Sequence, residues 1–312
     1  MTGLLRSEVR RLTSRRLARY VAIAVFAITI LTLGRIFLTS TRHVDPRVQQ
    51  IAAQQQEQDR IYCEEAKQRG EIPQDEDCAL MVGTYFDDPR LHARTALPGG
   101  VKTVAVSVGL LALVLGASYV GADWHIGTMQ ALLFWEPRRG RVMAAKAVAL
   151  LGVVAAFSVV FHLVVYTGLY VIGATRGTTD GVTGGLHLSN LLTAGRGLVF
   201  GAVMALVGYA IAGLARNTVA ALVAAFVYVV AVENAVRGLR PGWQRYLLTE
   251  NTVALLNKEM SVAPARAKQL VDFSGEQAQY VLTSGRAALT LALYVTLLVG
   301  AFYLSFTRRD VT

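Results

Sequence analysis

Long apolar runs separated by polar segments dominate the pattern along this chain. A helix needs about 20 predominantly apolar residues to cross a bilayer, and six runs approach or exceed that length. The pattern therefore predicts an all-α integral membrane protein with six transmembrane helices. The predicted spans are residues 20–39, 101–122, 143–174, 196–215, 217–236 and 286–307.

The polar segments between the spans predict smaller elements. Residues 1–19 form a basic amphipathic pattern, with Leu4, Leu5, Val9 and Leu12 on one helix face, which is typical of a helix lying in the membrane interface. Within the segment 40–100, a helix is expected from Pro46, with Asp45 as its cap and Gly70 at its end. The other predicted elements are a cytoplasmic helix in 123–142, extracellular or re-entrant short helices in 237–285, and a cytoplasmic tail in 308–312.

Charge placement predicts the orientation. The formal net charge is +10, and 54% of the residues are hydrophobic. Because the basic residues lie mostly beside apolar runs, we expect them to mark cytoplasmic ends and anionic lipid, and we expect no nucleic-acid partner. Six arginines lie within residues 1–19, so both termini of a six-span chain are predicted to be cytoplasmic. No small-residue cleavage site follows the first apolar run, so we expect it to remain as span one.

The two cysteines of the chain, Cys63 and Cys78, both lie in the segment 40–100, which this orientation places outside. Two cysteines at that spacing on the outer face predict a disulfide, which would stabilise the loop by about 3 kcal/mol. Free thiols are the alternative. A structural zinc site is not expected, because two cysteines leave the ion undercoordinated.

Motifs for catalysis are missing from the sequence. There is no Walker loop, no H-E-x-x-H and no G-x-S-x-G, so we expect neither an enzyme nor a chain that binds a nucleotide or metal cofactor itself. His162 is predicted inside span three, with Tyr166 and Tyr170 following at helical spacing. These residues either line a pathway or pack the helix bundle.

The end of span five carries two polar residues, Glu233 and Asn234. A carboxylate near lipid depth is costly and should face protein or water, so one interpretation is that the pair lines a pathway. The alternative is that Glu233 lies at the outer interface and pairs with Arg237, one helical turn further on.

Residues 116–146, GASYVGADWHIGTMQALLFWEPRRGRVMAAK, resemble the cytoplasmic element of permease subunits in the type-2 family of ATP-binding cassette transporters. The segments LFWEPRRGR and VENAVRGLRPGW and the outer two-cysteine loop look most like permeases of actinobacterial type. The positions that carry the family pattern are Asp123, Gly127, Thr128, Leu132, Leu133, Pro137, Arg138, Arg139 and Lys146.

The resemblance implies a coupling helix in 123–142 that docks on a separate ATPase subunit. Met129, Leu132 and Leu133 would form its docking face, and Pro137 would end it. The alternative is a helix that only anchors the loop among lipid headgroups. The predicted ATPase-coupling residues are Asp123, Trp124, Gly127, Thr128, Met129, Leu132, Leu133, Trp135, Glu136, Pro137, Arg138, Arg139 and Arg141.

The resemblance also implies the partners. ATP and magnesium would be held by the partner ATPase. The chain itself would lie in the bacterial cell membrane. A second permease copy, most simply a homodimer, would complete the pathway, with spans two and five as its expected lining. Export is the tendency of the family. A membrane immunity or scaffold protein that transports nothing is the competing interpretation.

Overall fold

The computed structural model describes residues 2–42, 46–69, 90–262 and 280–308. Six of its helices are long and apolar enough to cross a membrane, which confirms the predicted all-α membrane architecture. In chain order the helices are α1 (Thr2–Ser14), α2 or span one (Arg16–Thr39), α3 (Pro46–Gln68), α4 or span two (Ala93–His125), α5 (Thr128–Trp135), α6 or span three (Arg139–Arg176), α7 or span four (Gly184–Ala215), α8 (Thr218–Val227), α9 (Glu233–Leu239), α10 (Leu248–Asn257) and α11 or span six (Ser284–Arg308).

Short elements complete the described chain. Span five is continuous from Thr218 to Leu239, because a π-helical turn joins α8 to α9. The remaining elements are that turn (Tyr228–Val232), a 3₁₀ helix (Pro241–Tyr246), a parallel pair of β1 (Leu91–His92) with β2 (Gly177–Thr178), and an antiparallel pair of β3 (Glu259–Val262) with β4 (Tyr280–Thr283).

Several spans extend beyond their apolar runs. Span four begins at Gly184, 12 residues before the predicted start at 196, because the Thr183 hydroxyl accepts a hydrogen bond from the Leu186 amide and caps the helix. Span three has 38 residues, or about 57 Å of helix, whereas the hydrocarbon core is about 30 Å thick. Hydropathy detects only the part of a helix that lies in lipid, so the polar extensions escape it.

Spans two and four form the centre of the bundle. A Cβ atom added to Gly116 or Gly208 would lie 2.2 Å from a backbone oxygen of the other span, so only glycine permits this crossing. The apolar windows of spans two and four are 61% and 56% buried, against 6% for span one and 11% for span five. The described residues therefore leave most of the apolar surface of spans one and five uncovered.

The outer loop predicted from the sequence contains α3, which begins at Pro46 as expected. Asp45 and Gly70, its predicted cap and end, lie outside the described residues. Cys63 is buried on α3, but Cys78 lies outside the described residues, so the disulfide stays a prediction.

Candidate functional site

The connection between spans two and three is the short helix α5, which starts at Gly127. Gly127 has a φ of 69°, a left-handed conformation that side chains disfavour, and it turns the chain away from span two. The Thr128 hydroxyl donates to the Asp123 carbonyl over 3.3 Å and closes the same turn. Pro137 follows the end of α5, where a helix cannot continue. The Gly-Thr pair and the proline thus set the direction and length of α5.

The exposed side of α5 differs from the predicted docking face. Met129 is buried at 3% exposure, and Leu133 packs against the core, so these two side chains face the bundle. The exposed large apolar residues are Phe134 and Trp135, each 90% exposed, together with Ile126 just before the helix. The prediction missed this because TMQALLFW has apolar residues on all sides, and its sequence pattern does not indicate which side packs inward. Leu132 is half-buried between the two sides.

Two of the predicted basic residues are held within the chain. Arg139 donates to the carbonyl oxygens of Phe306 at 2.8 Å and Thr307 at 3.3 Å, which satisfies the end of span six. Arg141 forms an ion pair with Glu136 at 3.2 Å. Arg138 is exposed beside Pro137.

Trp124 also packs within the chain. Its ring meets the Phe306 ring edge-on, with 6.0 Å between centroids, and the Arg216 guanidinium carbon lies 4.5 Å from the indole centroid. Trp124 therefore connects the end of span two to span six and to the turn between spans four and five.

Beneath α5 lies a buried ion cluster, which we call the Glu8 network. Lys146 Nζ lies 2.5 Å from Asp123 Oδ2 and 2.9 Å from Glu8 Oε2. Arg15 Nη2 lies 2.6 Å from Asp123 Oδ1, and the Tyr119 hydroxyl donates to Glu8. Lys146, Glu8 and Asp123 are 1%, 0% and 4% exposed. The network joins α1, the start of span one, and the α5 ends of spans two and three.

Charge balance explains why this cluster can be buried. An unpaired buried carboxylate or ammonium group costs several kcal/mol, whereas here two carboxylates face two cations. Asp123 and Lys146 come from the family pattern, and the structure brings them into contact across 23 residues of sequence. Asp123, predicted to be an ATPase-coupling residue, therefore lies inside the chain beneath α5.

The sequence pattern did not single out Glu8, Arg15 and Tyr119. A signal for Glu8 was present, because it is the only acidic residue among the first 44. It also lies one helical turn from both Leu4 and Leu12, on the apolar face of α1. A lone carboxylate on an apolar helix face calls for a buried cation as its partner.

At the opposite end of the bundle, Glu233 is fully buried in a second cluster. Arg237 contacts Glu233 and Glu250, each at 3.0 Å, and the Thr249 amide donates to Glu233 at 3.1 Å. The ion pair considered as the alternative is thus present, and it ties span five to α10. Asn234 is exposed, and its amide donates to the Val230 carbonyl within the π turn at 2.7 Å. A pathway-lining role for Glu233 and Asn234 stays a prediction.

The polar residues of span three meet span four. His162 is buried, and its Nδ1 lies 2.8 Å from the Ser158 carbonyl oxygen. The Tyr166 hydroxyl lies 2.5 Å from Nδ1 of His187 on span four, and the Tyr170 ring packs 6.0 Å from the His187 ring. The structure thus assembles the predicted His162, Tyr166 and Tyr170 side chains along one helix pair.

Comparison with known proteins places this architecture in a family. The family described as ABC-2 family transporter protein matches residues 8–311, a range that contains the six spans, α5 and all members of the Glu8 network. No curated protein and no solved structure gives a significant match. The chain is therefore a multi-pass membrane protein that belongs to the ABC-2 transporter family.

Proposed function

We propose that this chain is the transmembrane permease subunit of an ATP-binding cassette transporter, and that α5 is where a separate ATPase subunit docks. Family membership supports a transport subunit rather than an enzyme, and an ATPase partner in general. The observation that carries the docking site is the pair Phe134 and Trp135, each 90% exposed at the end of α5. Aromatic side chains of this kind are the usual anchors of protein interfaces.

The position of the aromatic pair suits energy coupling. α5 continues span two through the Gly127 turn, and the contact between Asp123 and Lys146 joins the ends of spans two and three on either side of α5. A force applied at Trp135 would therefore act on spans two and three together. It would not be absorbed by movement of a flexible loop. Binding of ATP and magnesium by the partner would shift the bundle between two conformations, to the extent that the partner binds one of them more tightly.

The transporter is proposed to be a homodimer that exports its substrate across the bacterial cell membrane, with both termini and α5 in the cytoplasm. The largely uncovered faces of spans one and five support a second copy of the chain. Charge placement supports the orientation, and the family tendency supports export. An actinobacterial type remains part of the proposal and rests on the segment LFWEPRRGR.

Double replacement of the aromatic pair tests the docking site. The tagged chain is purified from membranes of its host, and a co-purifying subunit with a Walker loop is identified by mass spectrometry. We expect Phe134→Asp with Trp135→Asp to weaken that complex by at least about 30-fold, because the loss of even one such anchor costs about 2 kcal/mol or more. Membrane insertion should be unchanged, because both side chains are exposed.

The control is Phe134→Leu with Trp135→Phe, which keeps an apolar surface and should retain the ATPase. If the aspartate variant binds the ATPase as tightly as the original chain, α5 is a headgroup anchor and the docking surface lies elsewhere. If no Walker-loop subunit co-purifies with the unmodified chain, the interpretation as an immunity or scaffold protein gains support.

The disulfide between Cys63 and Cys78 belongs to the same proposal, because both residues lie in the loop assigned to the outside. A thiol count on denatured, unreduced protein should find no reactive cysteine. Two reactive thiols would remove the disulfide without affecting the docking site.

A further inference from the structure

A cavity of about 240 Å³ lies between span one and spans two and three, in the half of the bundle toward α5. Its inner wall is formed by Val108, Ala112 and Val154, which are 1%, 2% and 5% exposed. Leu17, at the start of span one, is 48% exposed and lies on the open side of the cavity. The volume is below the range of about 300–1,000 Å³ typical of sites for drug-sized ligands, so it suits part of one acyl chain.

Arg19 lies exposed at the mouth of this cavity and is the only charged residue among its described lining residues. Span one has 24 residues, or about 36 Å of helix, so its first turn lies at the boundary of a hydrocarbon core about 30 Å thick. Arg15, directly before that turn, contacts Asp123 at the end of span two. Arg19 is therefore at headgroup level on the α5 side of the bilayer. Its neighbour Tyr20, which is 67% exposed, is a residue type enriched at that level.

The guanidinium group of Arg19 keeps most of its hydrogen-bonding capacity. Its Nε donates to the Thr13 carbonyl oxygen at 3.1 Å, which is its only hydrogen bond to the described residues. Arg16, three residues earlier on the same side of the helix, is also exposed and has no carboxylate partner in the described part of the chain. Glu8, the only acidic residue among the first 44, is buried in the Glu8 network. The positive charge at the mouth of the cavity is therefore available to an anion.

We propose that this cavity holds an acyl chain of an anionic phospholipid whose phosphate group lies on Arg19 and Arg16. Guanidinium groups bind phosphate oxygens through paired N–H donors, and the chain would pass Leu17 into the cavity. Phe157 is the lining residue of span three farthest from α5, and the Phe26 ring packs against it with 5.7 Å between centroids. Arg19 and Phe26 are separated by about 10 Å along span one, so only the first part of the chain would be enclosed.

An apolar cavity and an unpaired cation together select this ligand. Inorganic phosphate would bind the arginines without using the apolar wall. A zwitterionic lipid carries its own ammonium group beside the phosphate, which weakens its attraction to Arg19. Basic pockets between transmembrane helices are known to bind anionic lipid headgroups. The site lies apart from Phe134 and Trp135, so the proposal holds whether or not an ATPase docks on α5.

Photolabelling of the full chain in phosphatidylcholine vesicles tests the site. The probe is phosphatidylglycerol with a diazirine near the carbonyl end of one acyl chain, and the comparison probe is phosphatidylcholine with the same chain. We expect the anionic probe to label the cavity-lining peptides of spans two and three at least about fivefold more, the effect of one cation near the membrane surface. Arg19→Gln should reduce this labelling by about the same factor. Arg19→Lys, which keeps the charge, should retain most of it.

Arg10→Gln is the matched control for charge. Arg10 is an exposed arginine of α1 that is not among the described lining residues, and its replacement changes the net charge equally. Labelling should be unchanged in this variant. The proposal is overturned if Arg10→Gln and Arg19→Gln reduce labelling equally, as a general attraction between α1 and anionic lipid would predict. It is also overturned if Arg19→Lys loses as much labelling as Arg19→Gln.

A second pair of variants tests the cavity itself. Ala22 lines the cavity from span one, so Ala22→Phe should fill it and reduce labelling by the anionic probe. Ala24→Phe, at an exposed position of the same helix outside the described lining, should not. Unchanged labelling in Ala22→Phe would overturn the proposal, as would equal labelling by the two probes. Absence of labelling by either probe would also overturn it, since a second copy of the chain would then cover the mouth.

Discussion

Replacing Lys146 with methionine should release α1 from the helix bundle. Lys146 Nζ is shared by Glu8 and Asp123 at 2.9 and 2.5 Å, and all three side chains are buried. Methionine retains most of the apolar volume of lysine but removes the charge. Two carboxylates then remain in a site that lacks one of its two cations. Moving Glu8 into water is the simplest way to remove the cost of burying a carboxylate without its cation.

The magnitude follows from what each carboxylate retains. Breaking a buried ion pair by removing one partner costs about 3–5 kcal/mol. Asp123 keeps Arg15 at 2.6 Å, whereas Glu8 keeps the Tyr119 hydroxyl and a longer contact with Arg11 at 3.6 Å. Because Asp123 stays paired, we expect the lower limit, about 3 kcal/mol. α1 should open about 100 times more often, since 1.4 kcal/mol corresponds to a tenfold change.

Hydrogen–deuterium exchange of the purified full chain measures this opening directly, because the α1 peptide (Thr2–Ser14) reports local unfolding. We expect its amides to exchange about 100-fold faster in Lys146→Met, while span four keeps its protection. Lys102→Met is the matched control, since Lys102 is exposed on span two and far along the helix from Asp123.

A second variant separates ion pairing from packing. Glu8→Met combined with Lys146→Met removes both charges, and a buried ion pair replaced by apolar groups is often neutral. The double variant should therefore exchange at least about tenfold more slowly than Lys146→Met alone. An acceleration below threefold in Lys146→Met, or faster exchange in the double variant, would refute the reasoning that pairing with Lys146 holds α1 in place.

Two further predictions concern the turn before α5 and the cluster at the opposite end. Gly127→Ala should destabilise the turn by about 1–2 kcal/mol, because the φ of Gly127 is 69°. The control is Gly152→Ala inside span three, where the added Cβ meets no atom within 4 Å and the change should be neutral or slightly stabilising. Equal melting temperatures for the two variants would contradict this prediction. Glu233→Gln keeps an acceptor but loses the charge opposite Arg237, which is 32% exposed, and should cost about 1–2 kcal/mol. Arg237→Met leaves the fully buried Glu233 carboxylate unpaired and should cost more, about 3 kcal/mol, so the reverse order of melting temperatures would count against the ion pair.

The number of spans could be predicted from the sequence because lipid imposes one strong requirement. Every backbone group must be bonded within the helix, so a long apolar run is expected to form a helix. Helix ends outside lipid follow local capping instead, and span four therefore starts at Gly184 rather than at 196. Hydropathy does not indicate such ends, because a helix that extends into water can be built from polar residues.

The inward and outward sides of α5 could not be predicted in the same way. Its apolar residues surround the helix, so Met129 and Trp135 are equivalent by hydrophobicity, yet one is 3% exposed and the other 90%. The difference arises from the turn at Gly127, which sets the rotation of α5 against spans two and three. The sequence indicates that a turn exists there, but the rotation depends on contacts with helices far away in the chain.

Within the Glu8 network, Asp123 and Lys146 join the two ends of the segment that carries α5, which neither residue could do alone. Asp123 and Lys146 lie on either side of α5, and their 2.5 Å contact closes the base of the segment that carries it. With Glu8 and Arg15 bound to the same pair, α1 and spans one to three meet at one point beneath α5. If an ATPase docks on Trp135, its displacement acts on a closed base, so it must move these helices together or break a buried ion pair. Since breaking the pair would cost about 3–5 kcal/mol, we expect the helices to move together, and under the proposed docking the network would be the rigid element through which α5 moves the bundle.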